Sequence, residues 1–104
     1  MDNADRLSDF FDCENNRNWA KYESYLADNV VWELDEKETI VGKPAYMARI
    51  KAAYEDSDET FYCRHMYSYD SRIVTVLVNS RGGSTVCIFD FEGDLIARIS
   101  EYPS

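Results

Sequence analysis

The sequence predicts an α+β fold in which three N-terminal helices cover one face of a curved, mostly antiparallel sheet. Apolar residues recur with the period of a helix up to about residue 56, and from residue 60 onward they alternate with the period of a strand. Short links that contain glycine separate the later strands, as in hairpins. Helices followed by strands are typical of α+β proteins. A chain of 104 residues is the length of one domain, which we expect to span residues 1–104.

Three helices are predicted in the first half of the chain. The first spans about residues 4–15, and the second begins after Asn18, a residue type favoured at N-caps, and runs to about residue 27. Pro44 suits the first turn of the third helix, which continues to about residue 56. Each helix carries a mostly apolar stripe at helical spacing, which needs a surface to pack against. The stripes are Leu7, Phe10, Phe11 and Glu14, then Trp19, Tyr22, Tyr25 and Leu26, then Tyr46, Ile50, Ala53 and Tyr54.

Six strands are predicted from β-branched and aromatic residues bounded by turn residues. Two of them lie on either side of a charged turn between the second and third helices. The other four follow one another without interruption, which predicts an antiparallel meander. The predicted strands are residues 30–34, 39–41, 61–69, 73–79, 85–91 and 95–102.

The charge of the chain excludes several classes of partner. Its net charge is −9, and residues 1–60 contain 15 acidic and 7 basic residues, so the acidic surface belongs to the first half. Binding to phosphate groups depends on basic patches, and we therefore expect neither nucleic acid nor an anionic membrane as a partner. No apolar stretch approaches the length of a membrane span, and the N-terminus lacks the features of a signal peptide. A cytoplasmic protein is expected.

The cysteines and the single histidine predict no metal site. Cys13, Cys63 and Cys87 are an odd number without CxxC spacing, so neither a disulfide framework nor a zinc site is indicated. We expect free, buried thiols and neither a cofactor nor a metal.

Three segments carry a resemblance to a known family. Residues 25–32, YLADNVVW, pass from a predicted helix to a predicted strand, Gly42 precedes the third helix, and residues 89–96, FDFEGDLI, form a predicted hairpin. Together with the order of the predicted elements, these segments resemble the nuclear-transport-factor-2-like superfamily, and most closely its SnoaL-like branch. The resemblance covers nearly the whole chain. It implies a cone-shaped α+β barrel, a ligand site inside the cone and a homodimer through the outer face of the sheet.

Steroid isomerases of this superfamily use an aspartate base, a tyrosine and a protonated carboxylic acid. By resemblance these positions fall on Leu34, Phe10 and Cys87, so all three groups are replaced and steroid-type isomerisation is not expected. The epoxide hydrolases of the superfamily use an arginine between two carboxylates, and no Asp-x-Arg or Arg-x-Asp pattern stands on an expected inner strand.

His65 and Arg98 are the candidate catalytic residues. Histidine changes charge near neutral pH, and His65 shares a predicted strand face with Phe61, Cys63 and Tyr67. It is a catalytic acid or base if that face lines the cone, and otherwise a hydrogen-bonded structural residue or one on the dimer face. Arg98 is predicted to point inward, toward a carboxylate or an anionic ligand, or to extend to the rim of the cone. Cys87 is a weaker candidate, as a nucleophile, because no activating base is assigned to it.

The aromatic stripes predict a lining for a flat, hydrophobic ligand with a few polar groups. Three hypotheses stay open. The first is an enzyme with acid/base chemistry of the cyclase or isomerase type, which predicts a pocket of roughly 300–1,000 Å³ with at least two polar groups inside. The second is a non-catalytic ligand-binding protein, and the third is an acidic protein-interaction module. The predicted ligand-pocket residues are Phe10, Tyr22, Trp32, Leu34, Tyr54, Cys87 and Phe89.

Overall fold

Three helices pack on a six-stranded, mostly antiparallel sheet in the computed structural model, which describes residues 1–103. The α+β class predicted from the sequence is confirmed. The helices are α1 (Asn3–Asn15), α2 (Trp19–Ser24) and α3 (Lys43–Ala53). The strands are β1 (Leu26–Leu34), β2 (Glu38–Val41), β3 (Phe61–Tyr69), β4 (Arg72–Asn79), β5 (Ser84–Glu92) and β6 (Leu95–Pro103).

Local sequence signals explain where the helices begin. The Asp2 side chain caps α1 by accepting a hydrogen bond from the backbone N–H of Asp5, and Asn18 caps α2 in the same way. Gly42 precedes α3 with a φ of 93°, a conformation that glycine adopts without a steric penalty. Pro44 then lies in the first turn of α3, where a missing N–H costs no hydrogen bond.

The strands are ordered β2-β1-β6-β5-β4-β3 across the sheet, with β1 and β6 parallel and all other neighbours antiparallel. The boundary between α2 and β1 differs from the prediction. The helix ends at Ser24, and Leu26 already pairs with Ile96 of β6. The backbone N–H of Ile96 also donates to the carbonyl oxygen of Tyr25. Tertiary pairing therefore overrides the helical spacing of the aromatic stripe at this point.

Two β-bulges change which side chains face the helices. In β3 the pairing shifts between Cys63 and His65. In β6 it shifts so that Ile96 pairs with Phe91 while Arg98 pairs with Asp90. A bulge adds one residue to a strand, so the side chains that follow it lie on the opposite face from the one simple alternation predicts.

The hydrophobic core lies between the helices and the inner face of the sheet. Leu7 and Phe10 of α1, Val30 of β1 and Ile96 of β6 are at most 1% exposed. Among residues 1–103 no helix combines the length and the apolar character that crossing a membrane requires.

Candidate functional site

A cavity of about 210 Å³ opens between the three helices and the inner face of the sheet. Eight of the eighteen residues of its wall are aromatic, and three others carry carboxyl groups. This volume is smaller than the roughly 300–1,000 Å³ expected above for an enzyme pocket. It corresponds to a ligand about the size of one substituted ring. The lining residues are Phe10, Phe11, Glu14, Tyr22, Trp32, Tyr46, Ile50, Tyr54, Glu59, Thr60, Phe61, Leu77, Asn79, Thr85, Cys87, Phe89, Ile99 and Glu101.

Glu14 is the acidic residue that α1 contributes to the cavity wall. It lies one turn after Phe10 and Phe11 on the buried stripe of α1, so the helix itself directs the side chain into the cavity. The Tyr54 hydroxyl donates a hydrogen bond of 2.5 Å to the Glu14 carboxylate. The Tyr22 hydroxyl lies close enough to help stabilise the anionic form of the same group.

Burial raises the pKa of Glu14 from 4.5 to about 7. Withdrawal from water disfavours the charged carboxylate, and the negative charge of Glu101 adds to the effect. The hydrogen bonds from Tyr54 and Tyr22 act in the opposite direction without cancelling it. A carboxyl group with a pKa near neutrality both donates and accepts a proton at physiological pH, which is the property required of a general acid or base.

The tyrosines around Glu14 form a connected set of donors. The hydroxyl oxygens of Tyr22 and Tyr46 lie 2.7 Å apart, and Phe10 stacks on the Tyr22 ring with 4.1 Å between the ring centroids. Burial raises the pKa of Tyr22, Tyr46 and Tyr54 above the ordinary value for tyrosine, so all three hydroxyls stay protonated at neutral pH. Packing against rings such as Phe10 fixes the direction of these donors.

Glu101 is a second carboxyl group in the lining, contributed by β6. Burial raises its pKa, while the Trp32 indole N–H and the charge of Arg49 act against the shift. The Trp32 nitrogen is buried and makes no hydrogen bond of good geometry within residues 1–103. The indole N–H lies near the Glu101 carboxylate without a hydrogen bond of good geometry, so a hydrogen-bond acceptor on a bound molecule would satisfy it.

Arg17 fastens the segment between α3 and β3 to the end of α1, beside the cavity. Its guanidinium group donates to two carbonyl oxygens at the end of α1 and to those of Ser57 and Glu59, the latter two at 2.8 Å. It also lies over the Tyr54 ring, 4.1 Å from the centroid. These contacts fix Tyr54 in the position from which it donates to Glu14.

Most of the predicted ligand-pocket residues lie in the cavity lining, although their contact with a ligand stays a prediction. Leu34 is the exception. It lies beyond Trp32 on β1, partly buried, and lines a second depression with Arg49 and Glu101. The predicted residues found in the lining are Phe10, Tyr22, Trp32, Tyr54, Cys87 and Phe89.

The structure places His65 outside the cavity. The bulge in β3 leaves Cys63 opposite Leu77 and Met66 opposite Thr75. Cys63 and Met66 are therefore successive inward-facing residues of this strand. His65 therefore lies on the outer face, exposed, with its ring stacked on that of Tyr67. The prediction that His65 and Cys63 share a face is wrong, because the bulge adds one residue between them.

Arg98 is also on the outer face of the sheet. It is exposed and forms an ion pair with Glu33 of the neighbouring strand. The bulge in β6 turns Ile99 and Glu101 into the cavity, where simple alternation from Ile96 would have placed Arg98 and Ser100. The expected inward direction of Arg98 is therefore wrong.

Cys87 lies in the cavity wall, but its environment favours the unreactive thiol. Burial raises its pKa well above the ordinary value, and the charges of Glu101 and Glu14 raise it further. In the part of the chain that the structure describes, no group of three or more His, Cys, Asp or Glu side chains is placed to hold a metal ion.

Glu14 could have been recognised from the sequence as a candidate functional residue. It occupies the fourth position of the stripe that Leu7, Phe10 and Phe11 begin, and an acid on the buried face of a helix needs either a polar partner or a function. Glu101 carried no such signal, because its face depends on the bulge in β6.

Comparison with known proteins agrees with this architecture. The sequence matches the SnoaL-like domain family over residues 7–99. The search of curated proteins gives no match. An uncharacterised cystatin-fold protein from Novosphingobium aromaticivorans superposes with a TM-score of 0.88 at 17% identity, with 97% of each chain covered. A SnoaL-like protein of unknown function from Burkholderia thailandensis gives a TM-score of 0.87 at 15% identity, over 98% of this chain and 95% of that one.

A third similar structure is that of a proposed polyketide cyclase from Sinorhizobium meliloti. It has a TM-score of 0.81 and 16% identity, and the alignment covers 97% of this chain and 99% of the other. At such identities the structural similarities show the shared fold alone. The family match is independent of them and spans most of the sequence, and the chain therefore belongs to the SnoaL-like domain family.

Proposed function

We propose that the cavity binds a small hydrophobic molecule and that Glu14 exchanges a proton with it, in acid/base chemistry of the cyclase or isomerase type. The observation that carries the proposal is the position of the Glu14 carboxyl group, inside an aromatic cavity and beside the protonated hydroxyls of Tyr54 and Tyr22. The similarity to the proposed polyketide cyclase from Sinorhizobium meliloti supports the same class of chemistry.

Glu14 and its neighbours have different roles in the proposed reaction. As a base, Glu14 takes a proton from the ligand while the hydrogen bond from Tyr54 holds the carboxylate in place. A negative charge that develops on a ligand oxygen is stabilised by donors directed into the cavity, and the Trp32 indole N–H is available for this. The aromatic side chains of the wall lower the local polarity and so strengthen both interactions.

We also propose that the protein is a single domain, that the cavity is the interior of its cone-shaped barrel, and that two copies form a homodimer. The outer face of the sheet carries Tyr62, Tyr67 and Tyr69, each at least 59% exposed. Exposed aromatic rings of this kind support the homodimer through that face. The cytoplasmic location stays a prediction from the sequence.

Exchange of a carbon-bound proton tests the proposed chemistry. Phenylacetone, a single-ring ketone, is incubated with the protein in D₂O, and deuterium incorporation next to the carbonyl group is followed by NMR. The protein is expected to accelerate incorporation, and Glu14→Gln is expected to lower that rate by roughly 10²-fold, because a positioned general base contributes at least this factor. Glu55→Gln removes the same charge from an exposed site and is expected to keep the wild-type rate.

The resonance of the Trp32 indole N–H distinguishes this function from its alternative. A ketone that shifts this resonance without any enzyme-dependent exchange contradicts the acid/base part and supports a non-catalytic ligand-binding protein. Equal exchange rates in the wild type and in Glu14→Gln contradict the role given to Glu14.

A further inference from the structure

The charged residues of the cavity wall are all acidic. Glu14, Glu59 and Glu101 line it, and among the lining residues there is no lysine, arginine or histidine. The six ion pairs found in residues 1–103 involve other residues, so none of these three glutamates has a cation within salt-bridge distance. A buried carboxylate without a cationic partner is costly, and a ligand that carries the missing charge stabilises it.

The cations nearest to the wall are already engaged. The guanidinium group of Arg17 donates to four backbone carbonyl oxygens and covers the outer side of Tyr54. Arg49 lies 3.6 Å from Glu38 in an ion pair and lines the second depression. The charges of Arg17 and Arg49 act on the Glu14 and Glu101 carboxylates from outside the cavity. Neither arginine lines the cavity, so an anionic ligand would meet carboxylates and no cation in its wall.

The aromatic part of the wall favours a cation as well. Eight of the eighteen lining residues are Phe, Tyr or Trp, and the faces of such rings attract a positive charge. The negative charge of Glu101 repels the Glu14 carboxylate and is one of the smaller contributions that raise the pKa of Glu14. A cation placed near both carboxylates removes that repulsion.

We propose that the ligand of this cavity carries a protonated amine, held by the carboxylates of Glu14 and Glu101, with its apolar part among the aromatic rings. The inference rests on the proposed function, since it names the chemical class of the molecule that binds at that site. The cavity of about 210 Å³ limits the apolar part to about one ring, since a cavity of ~150 Å³ holds benzene. The amine lies beside the group with which Glu14 exchanges a proton.

Three probes of one size and different charge test this inference. Benzylamine, benzyl alcohol and benzoate are titrated at pH 8 into the full chain, and binding is measured from tryptophan fluorescence and from the shift of the Trp32 indole resonance. Benzylamine is expected to bind at least about tenfold more tightly than benzyl alcohol, and benzoate is expected not to bind. Benzyl alcohol binding as tightly as benzylamine, or any specific binding of benzoate, overturns the inference and leaves the proposed cavity site standing.

Single substitutions of glutamate by glutamine show which carboxylates bind the amine. Glu14→Gln and Glu101→Gln are each expected to weaken benzylamine about tenfold and to leave the affinity for benzyl alcohol within about twofold. Glu55→Gln, which removes an exposed charge, is expected to leave both affinities unchanged. Equal weakening of benzylamine by all three variants assigns the effect to net charge and contradicts the inference. Failure of all three probes to bind the wild type contradicts the proposed function itself.

Discussion

Replacing Phe10 with alanine is expected to lower the free energy of unfolding by about 3–5 kcal/mol, the range for a fully buried aromatic residue. Phe10 is 1% exposed, stacks on Tyr22 and meets Phe89 edge to face. Removing the ring enlarges the cavity and frees Tyr22 to change rotamer. Urea denaturation followed by circular dichroism measures the change, with an unchanged dependence on denaturant concentration as evidence of two-state behaviour.

An exposed apolar residue provides the control for this substitution. Val41 is 66% exposed on β2, at the opposite edge of the sheet from Tyr69, and Val41→Ala is expected to cost less than about 1 kcal/mol. A loss at Phe10 no larger than the loss at Val41 would contradict the placement of Phe10 in the wall between helix and sheet.

Glu14→Gln is expected to change how stability depends on pH. In the wild type the free energy of unfolding should fall by about 2–3 kcal/mol between pH 5 and pH 8, because the pKa of Glu14 is about 7 in the folded protein and 4.5 when exposed. Below pH 4.5 the carboxyl group is protonated in both states and contributes nothing to the slope. Between pH 4.5 and about 7 the carboxyl group ionises in the unfolded chain while it stays protonated in the folded protein, so rising pH favours unfolding until both states are ionised. The variant lacks this titration and should show a correspondingly flatter profile.

Denaturation at several pH values between 5 and 8 checks this expectation. Glu101 also has a raised pKa and gives a slope of the same sign, which is present in the wild type and in the variant alike. Glu55→Gln should follow the wild-type profile, since Glu55 is exposed. Identical profiles for Glu14→Gln and the wild type would show that the carboxyl group is solvated.

The four strands of the second half were predictable because the sequence takes up the period of a strand near residue 60 and keeps it. The predicted bounds of β3, residues 61–69, agree with the structure, and β4, β5 and β6 each differ by at most one residue at either end. The start of β1 was missed, because Trp19, Tyr22 and Leu26 keep a helical spacing beyond the point where α2 ends. Only the pairing of Leu26 with Ile96, far along the chain, decides that boundary.

The candidate site was only partly predictable. Tyr22, Trp32 and Tyr54 were recognisable from periodicity, because buried rings repeat at regular spacing. The polar residues of the site depend on single-residue irregularities instead. One bulge turns His65 outward, and another exchanges Arg98 for Glu101 at the cavity wall. Such bulges leave little trace in the sequence, whereas Glu14 was visible as an acid on the buried face of α1.

Glu14 is expected to titrate near neutrality inside the cavity. An NMR titration of the side-chain carboxyl carbons is the direct test, with the Glu14 resonance identified as the one that Glu14→Gln removes. The structure predicts a midpoint of about 7 for this resonance. A midpoint close to 4.5, the ordinary value for a solvated glutamate, would contradict the burial of Glu14 and with it the acid/base role.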